Sequence, residues 1–307
     1  MNIYVEILMR TNMETLWKHT QTPDIHARWD LRFSTITYLP RPDISKPQQL
    51  LYTTRIGFGL AIDGVGETVG SREDQNGSRT SSLKFWSDNP YALIREGSGY
   101  WKYIPTPEDI LFVTEYTYQT RFGWIGYWFD RLAFRPLMGW ATAWSFDRLR
   151  LWLEKGIDPA VSLERSVVYG IARLTLALIW VYQGIVPKLL FRDTGELAIL
   201  RHTNLFAGYE PTVLSLVGFA EIFFGFLLLF RWHSRLLLAL NIVTLVVLGA
   251  GALLGQPHIF VEPFNPLTLN FAMTALAAIG LYTAHDLPRA AFCRRKRHES
   301  DTLGETA

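Results

Sequence analysis

The chain has 307 residues, more than one typical domain holds and comfortable for two. Its 30 Lys and Arg against 28 Asp and Glu leave a net charge of +2, too small to argue for a nucleic-acid partner. A single cysteine, Cys293, excludes an internal disulfide and any cysteine-rich metal site.

A mean hydropathy of +0.10 hides a split. Before residue 160 the chain mixes charges, turns and short alternating runs; after 166 it is dominated by Leu, Ile, Val, Ala, Gly and Phe. The first residues lack a basic segment followed by an apolar core, so they do not read as a signal peptide, and the N-terminal half is expected in the cytosol.

Residues 2–10 alternate, with Ile3, Val5, Ile7 and Met9 on one side, which predicts a strand. Thr11 to Glu14 reads as a capping box opening a short helix through Leu16, Trp17 and His19. Thr22 and Pro23 then cap and start a second one, followed by Trp29. Strands are predicted over 33–39, 49–56, 60–67, 79–86, 94–103 and 110–121, joined by short Gly- and Asn-rich connections that favour antiparallel hairpins. The turn over 74–77, Asp-Gln-Asn-Gly, is the clearest of them. Residues 124–155 predict a long helix, kinked or restarted at Arg135-Pro136 and capped by Gly156.

Over residues 1–155, Val5-Glu-Ile7, Leu16-Trp17, the segment from Thr22 to Trp29 and the strand series resemble the SRPBCC or START-like superfamily. The resemblance implies an α+β helix-grip, a curved antiparallel sheet on a long C-terminal helix, enclosing an apolar cavity for a hydrophobic small molecule. It implies no universal catalytic residues. Candidate cavity residues are Trp29, Phe33, Trp86, Trp101, Tyr116 and Tyr118, for which ordinary core packing is the competing reading. Arg55, Glu67, Lys84 and Glu115 sit in strands, where alternating polar residues usually face water.

Five of the 11 Trp (Trp124, Trp128, Trp140, Trp144 and Trp152) fall on the long helix. The expectation is a mixture: the helix packs on the sheet while its outer Trp and Arg touch a bilayer surface. Asp158-Pro159 is a linker, and Ser162 is expected to cap the next helix.

Residues 160–287 hold four apolar runs, 167–190, 213–230, 234–254 and 267–284. Each is near the ~20 residues that cross a bilayer core, which predicts an all-α four-helix transmembrane bundle. Basic clusters at Arg148, Arg150, Lys155 and Arg165, at Arg231, His233 and Arg235, and at Arg289 and Arg294 to Arg297 would face the cytoplasm. The expected location is the cell inner membrane, multi-pass, with both termini cytoplasmic. Lys188 is assigned to the opposite loops, and residues 288–307 to a basic, disordered tail.

Polar residues inside the spans are Arg173, Glu221, Asn241 and Asn270. Arg173 and Glu221 lie at similar depth, so a pair is expected, either fixing bundle register or forming a polar floor for a quinone or a proton. Arg173 within Tyr-Gly-Ile-Ala-Arg, the segment from Gln183 to Lys188, and Gly218-Phe-Ala-Glu221 resemble the DoxX-like family of four-helix membrane proteins. Some relatives there are linked to thiosulfate or quinone redox chemistry. No Cys lies in these spans, which counts against thiol chemistry.

No cofactor is indicated, with quinone the one candidate. No metal ligand set is assigned, since prolines break the helix that a His258–Glu262 pair would need, and His202 stands alone. Cys293 reads as an incidental exposed thiol beside Arg294 and Arg295. The expected partners are membrane lipid and a hydrophobic small molecule, with a protein partner or homo-oligomer left open. The readings carried forward are a hydrophobic-ligand-binding membrane protein, a structural or assembly subunit without ligand, and a quinone-linked oxidoreductase component; no catalytic residue is identified.

Overall fold

The computed structural model describes residues 2–41, 43, 45–57, 59–192, 195–202, 206–255, 257–261 and 265–297. The chain divides into two compact units, one of residues 1–162 with 288–307, the other of residues 163–287.

The first unit opens with strand β1 (Ile3–Met9) and two short helices, α1 (Met13–Gln21) and α2 (Pro23–Trp29). Asn12, rather than Thr11, caps α1 by accepting from Thr15 N at 2.8 Å. Six strands follow: β2 (Thr35–Tyr38), β3 (Gln49–Gly57), β4 (Leu60–Glu73), β5 (Arg79–Trp86), β6 (Ile94–Pro105) and β7 (Ile110–Thr120). They form one antiparallel sheet in the order β1-β7-β6-β5-β4-β3-β2. The 74–77 turn closes as its sequence demands, with Gly77 at φ +77° and its N–H donating to Asp74 O at 2.9 Å.

The long helical stretch is built in three pieces: α3 (Gly123–Phe129), a π-helical turn over Asp130–Phe134, and α4 (Arg135–Lys155). Pro136 has no N–H to donate, and the wider π turn just before it absorbs that missing bond without ending the helix. Gly156 closes α4 in the left-handed conformation, φ +66°, as expected. Asp158, not Ser162, caps the next helix by accepting from Ala160 N at 2.8 Å. Ser162 lies inside that helix and is buried.

α4 lays Ala143, Trp144, Phe146 and Leu149 against Val5, Ile7, Tyr103 and Phe112 of β1, β6 and β7. The described part of the C-terminal segment joins this unit. Arg294 exchanges both backbone hydrogen bonds with Glu6 on the edge strand β1, 2.9 and 3.0 Å. The Arg289 N–H donates to Asp147 at 2.7 Å, and the buried Cys293 thiol donates to Ala143 O at 3.1 Å. The expected disordered tail is therefore corrected for 288–297, which cover an otherwise open sheet edge; residues 298–307 lie outside the described residues. Cys293 is not an exposed thiol, and burial pushes its pKa up.

The second unit contains the membrane helices. Four helices are long and apolar enough to cross a bilayer: Pro159–Leu190, Glu210–Phe230, Arg235–Leu253 and Pro266–Thr283. The first is α5 (Pro159–Ile185) extended by a π-helical turn, Val186–Leu190. The others are α7 (Glu210–Phe230), α8 (Arg235–Gly255) and α9 (Pro266–Thr283), with a short α6 (Gly195–His202) after the first span. Their shared interior holds Tyr169, Leu176, Trp180, Leu228, Leu238 and Met273. Leu178, Phe223, Val247 and Phe271 point outward, as lipid-facing residues should. Gly184 and Gly218 bring α5 and α7 into backbone contact, since a Cβ on Gly184 would lie 2.4 Å from Gly218 O.

Candidate functional site

The concave face of the sheet is walled unevenly. α4 packs chiefly against β1, so the β1–β7–β6 end is closed by fully buried side chains, Val5, Met9, Tyr103 and Phe112 among them. Toward β5, β4 and β3 the inward residues Leu83, Phe85, Tyr52 and Thr54 are only half-buried. Glycines floor this half. Tyr52 lies across its register partner Gly64, Leu50 across Gly66, and Phe85 across Gly97, each within 2.8 Å of where a Cβ would sit. The Tyr52 and Phe85 rings and the Leu50 side chain take the space that the glycines vacate.

Of the six proposed cavity residues, Trp29, Phe33, Trp101, Tyr116 and Tyr118 face inward. Trp29 and Trp101 both pack on His26, with ring centroids 5.0 and 4.8 Å away, and Phe33 sits 5.2 Å from it on another side. Phe33 also touches Tyr52, 5.5 Å between centroids. Trp29 is fully buried and donates from Nε1 to His19 O at 2.9 Å, so it is core rather than lining. The Tyr116 hydroxyl is 2.9 Å from Thr142 Oγ1. The Tyr118 hydroxyl donates to Asp130 at 2.5 Å, and burial together with that carboxylate raises its pKa. Asp130 also accepts from Arg135 Nε at 2.8 Å, which fixes the π turn.

Trp86 is a correction. It alternates with Phe85 and pairs with Val65 and Glu96, so it lies on the convex face, where Glu67 and Lys84 also pair. It cannot line the cup.

The sequence reading missed the polar heart of this cup. Asp30 is buried between His26 and Arg32, accepting from Arg32 Nε at 2.9 Å, Arg32 Nη2 at 2.6 Å and the Arg32 N–H at 3.1 Å. His26 Nε2 lies 3.0 Å from it. Burial opposes ionisation of Asp30, but Arg32 and His26 outweigh it and hold the carboxyl well below its usual range. Burial depresses His26 despite Asp30. The Arg32 guanidinium lies 5.5 Å from the centroids of both Phe33 and Tyr116. This places a fixed cation among aromatic rings at the half-open end of the cup. The visible signal was His26 and Asp30 four apart at a helix end, with Arg32 two further on.

The Trp-rich helix divides its roles. Trp144 is buried and Trp152 half-buried in the core of the first unit, whereas Trp124 is 75% exposed and Leu132 72%. Phe122, Ile125, Trp128, Phe129, Leu137 and Trp140 are exposed beside them. Arg148 does not snorkel: it is buried and donates to Pro159 O at 2.6 and 2.9 Å. Arg150 pairs with Asp147 and Glu154, at 2.7 and 2.8 Å.

In the bundle, Arg173 and Glu221 do not pair. Arg173 donates to the carbonyls of Leu228 (2.7 Å), Arg231 (2.7 Å) and Ser234 (3.1 Å), and to the Tyr169 hydroxyl (3.0 Å). It caps the C-terminal end of α7, where unsatisfied carbonyls and the helix dipole attract a cation. Glu221 instead meets Lys188 at 3.0 Å, and Lys188 meets Glu196 of α6 at 2.8 Å. Lys188 was assigned to the loops opposite the basic clusters; the π-helical turn Val186–Leu190 carries it into the bundle instead. Asn241 accepts from Trp180 Nε1 at 2.6 Å, and Asn270 reaches Leu245 O at 3.4 Å. His258 lies on a 3-10 turn, Pro257–Val261, while Glu262 and the side chain of His202 lie outside the described residues.

A half-open helix-grip and a bundle of four candidate spans in one chain define a membrane protein with an N-terminal α+β unit. Residues 177–278 match the model of the DoxX-like family. The chain is 41% identical over 296 residues to the uncharacterized membrane protein YndG of Bacillus subtilis (strain 168), covering 96% of this chain and 97% of that one. It belongs to the same family as YndG. Among solved structures, a START superfamily protein from Mycobacterium smegmatis is 14% identical with a TM-score of 0.36, covering 51% of this chain and 99% of its own. A STAR-related lipid transfer protein from Xanthomonas axonopodis is 13% identical with a TM-score of 0.33, covering 42% and 76%. At these scores the likenesses carry no argument, and the helix-grip rests on the strand order and on α4.

Proposed function

We propose that the START-like unit binds a hydrophobic small molecule, a lipid, isoprenoid or quinone, whose apolar body lies along Phe33, Tyr52, Leu83 and Phe85 and whose polar end meets Arg32. The supporting observation is the half-open aromatic wall over β3–β5 beside one buried cation. An apolar surface with a few fixed polar groups is the usual makeup of a small-molecule site. The protein is proposed to sit in the cell inner membrane with both termini cytoplasmic. Lys188 is taken up within the bundle, which leaves the opposite loops with fewer basic residues and sharpens the positive-inside bias. The exposed apolar residues from Phe122 to Trp140 fit a bilayer surface.

A second reading, an assembly subunit without ligand, is favoured by the closed half of the cup, where Trp29, Phe112 and Phe146 fill the interior. Leu83→Trp separates the two by filling the open half. The test is titration of the full-length protein in detergent with a fluorescent fatty-acid analogue. Ligand binding predicts saturable uptake that Leu83→Trp reduces at least tenfold at unchanged melting temperature. Equal, non-saturable partitioning into both proteins would favour the assembly subunit.

A further inference from the structure

The cluster around Lys188 is unbalanced. One ammonium, Lys188 Nζ, stands between two carboxylates, 2.8 and 3.0 Å from the Glu196 oxygens and 3.0 Å from Glu221 Oε2. With all three groups ionised the set carries one net negative charge. Lys188 is almost wholly buried, and Glu221 lies 11 residues into the 21-residue helix α7. That is roughly 16 Å from its start at 1.5 Å per residue, near the middle of a ~30 Å hydrocarbon core. An uncompensated charge at that depth is costly.

Three features keep the cluster from relaxing. The π-helical turn Val186–Leu190 aims Lys188 inward, and such turns are frequent at functional sites. Gly184 and Gly218 lock α5 against α7 one turn away, with the Lys188 Cβ itself 2.9 Å from the space above Gly218. Glu221 Oε2 is buried and, although within ion-pair distance of Lys188, accepts no hydrogen bond among the described residues. Among the described residues Lys188 is its one ion-pair partner: α8 carries only Arg235, at its first position, α9 carries no charged residue, and Arg192, just before α6, donates to Leu189 O.

We propose that Glu221 and Glu196 share one dissociable proton across Lys188, making this cluster an intramembrane proton-binding site. In its loaded state one carboxyl is protonated, the other is ionised, and the set is neutral with Lys188. Release of the proton leaves two carboxylates and one ammonium. The two acids titrate as a pair, not as independent groups. Lys188 Nζ fills the space between the carboxylates, which disfavours a metal ion there.

The test uses the full-length protein in lipid nanodiscs and infrared difference spectroscopy between about pH 5 and about pH 9, where exposed carboxylates stay ionised. The expected result is a protonated-carboxyl carbonyl band that shifts in heavy water and bleaches as pH rises. Glu221→Gln and Glu196→Gln, each close in shape to the acid, should each abolish the pH-dependent band. Lys188→Met should keep it to higher pH, because the ammonium that favours release is gone. The absence of such a band in the wild-type protein, or its survival unchanged in both Gln variants, would overturn the proposal. Bleaching by sodium or potassium ions at constant pH would overturn it in favour of a cation site.

Discussion

Arg173→Met removes the guanidinium while keeping an unbranched stem. Three carbonyls, of Leu228, Arg231 and Ser234, and the Tyr169 hydroxyl lose their donor at the end of α7. Hydrogen bonds between membrane helices average about 0.6 kcal/mol each by double-mutant cycle, so the three that leave α5 give a lower bound of about 2 kcal/mol. A buried carbonyl left without its donor costs about 1–3 kcal/mol, which sets the upper end when more than one stays unpaired. The expected destabilisation is therefore about 2–5 kcal/mol. Arg173→Lys should recover part of it, since an ammonium reaches fewer carbonyls than the planar fork. Denaturant unfolding of the purified protein in mixed micelles reads the difference. If Arg173 only caps α7, ligand uptake by the soluble unit and the Glu221-dependent infrared band persist in the folded variant. A fully stable Arg173→Met protein that has lost either property would refute the structural role and restore Arg173 as a functional residue.

Asp30→Asn should cost about 3–5 kcal/mol, because it strands the buried Arg32 guanidinium; Tyr or Trp near-ultraviolet circular dichroism during melting would follow it. Asp30 is held below, and His26 is also held below, their ordinary values. Both bind protons more readily when unfolded, so the stability they supply is present above about pH 6.5. It is lost as pH falls, first through His26 and then below about pH 4 through Asp30. A melting temperature that rises on acidification through this window would contradict the assignment. Gly97→Ala should destabilise by about 1–3 kcal/mol, since its Cβ would lie 2.6 Å from Thr117 O, which cannot move as a side chain could. Trp124→Ser with Trp128→Ser should leave the melting temperature unchanged and reduce fluorescence quenching by brominated lipid; undiminished quenching would remove α3 from the bilayer surface.

Much of the fold was legible because periodicity reports burial. The alternation from Ile3 to Met9 became an edge strand with those four residues inward, and the Asp-Gln-Asn-Gly turn formed where it was read. The apolar runs became four helices of spanning length. What sequence could not give is partner choice at a distance. Residue spacing put Arg173 and Glu221 at similar depth, yet Arg173 meets the carbonyls at the end of α7 and Glu221, mid-helix, meets Lys188 from a π-helical turn. A π turn has no simple sequence pattern, so neither Lys188 in the bundle nor the continuous passage through Pro136 was visible. Trp86 was misplaced because a strand's face is fixed by register, which Phe85 decided by entering the core. The His26, Asp30 and Arg32 cluster was within reach of spacing rules, but only Thr22, Pro23 and Trp29 were read in that segment.

The central claim, that the soluble unit holds a hydrophobic ligand, is tested most directly by native mass spectrometry of the intact protein released from detergent. The account predicts a bound apolar species on the wild-type protein that is absent from Leu83→Trp purified in parallel. Wild-type protein that flies at its bare mass, or an adduct equally abundant on Leu83→Trp, would contradict it.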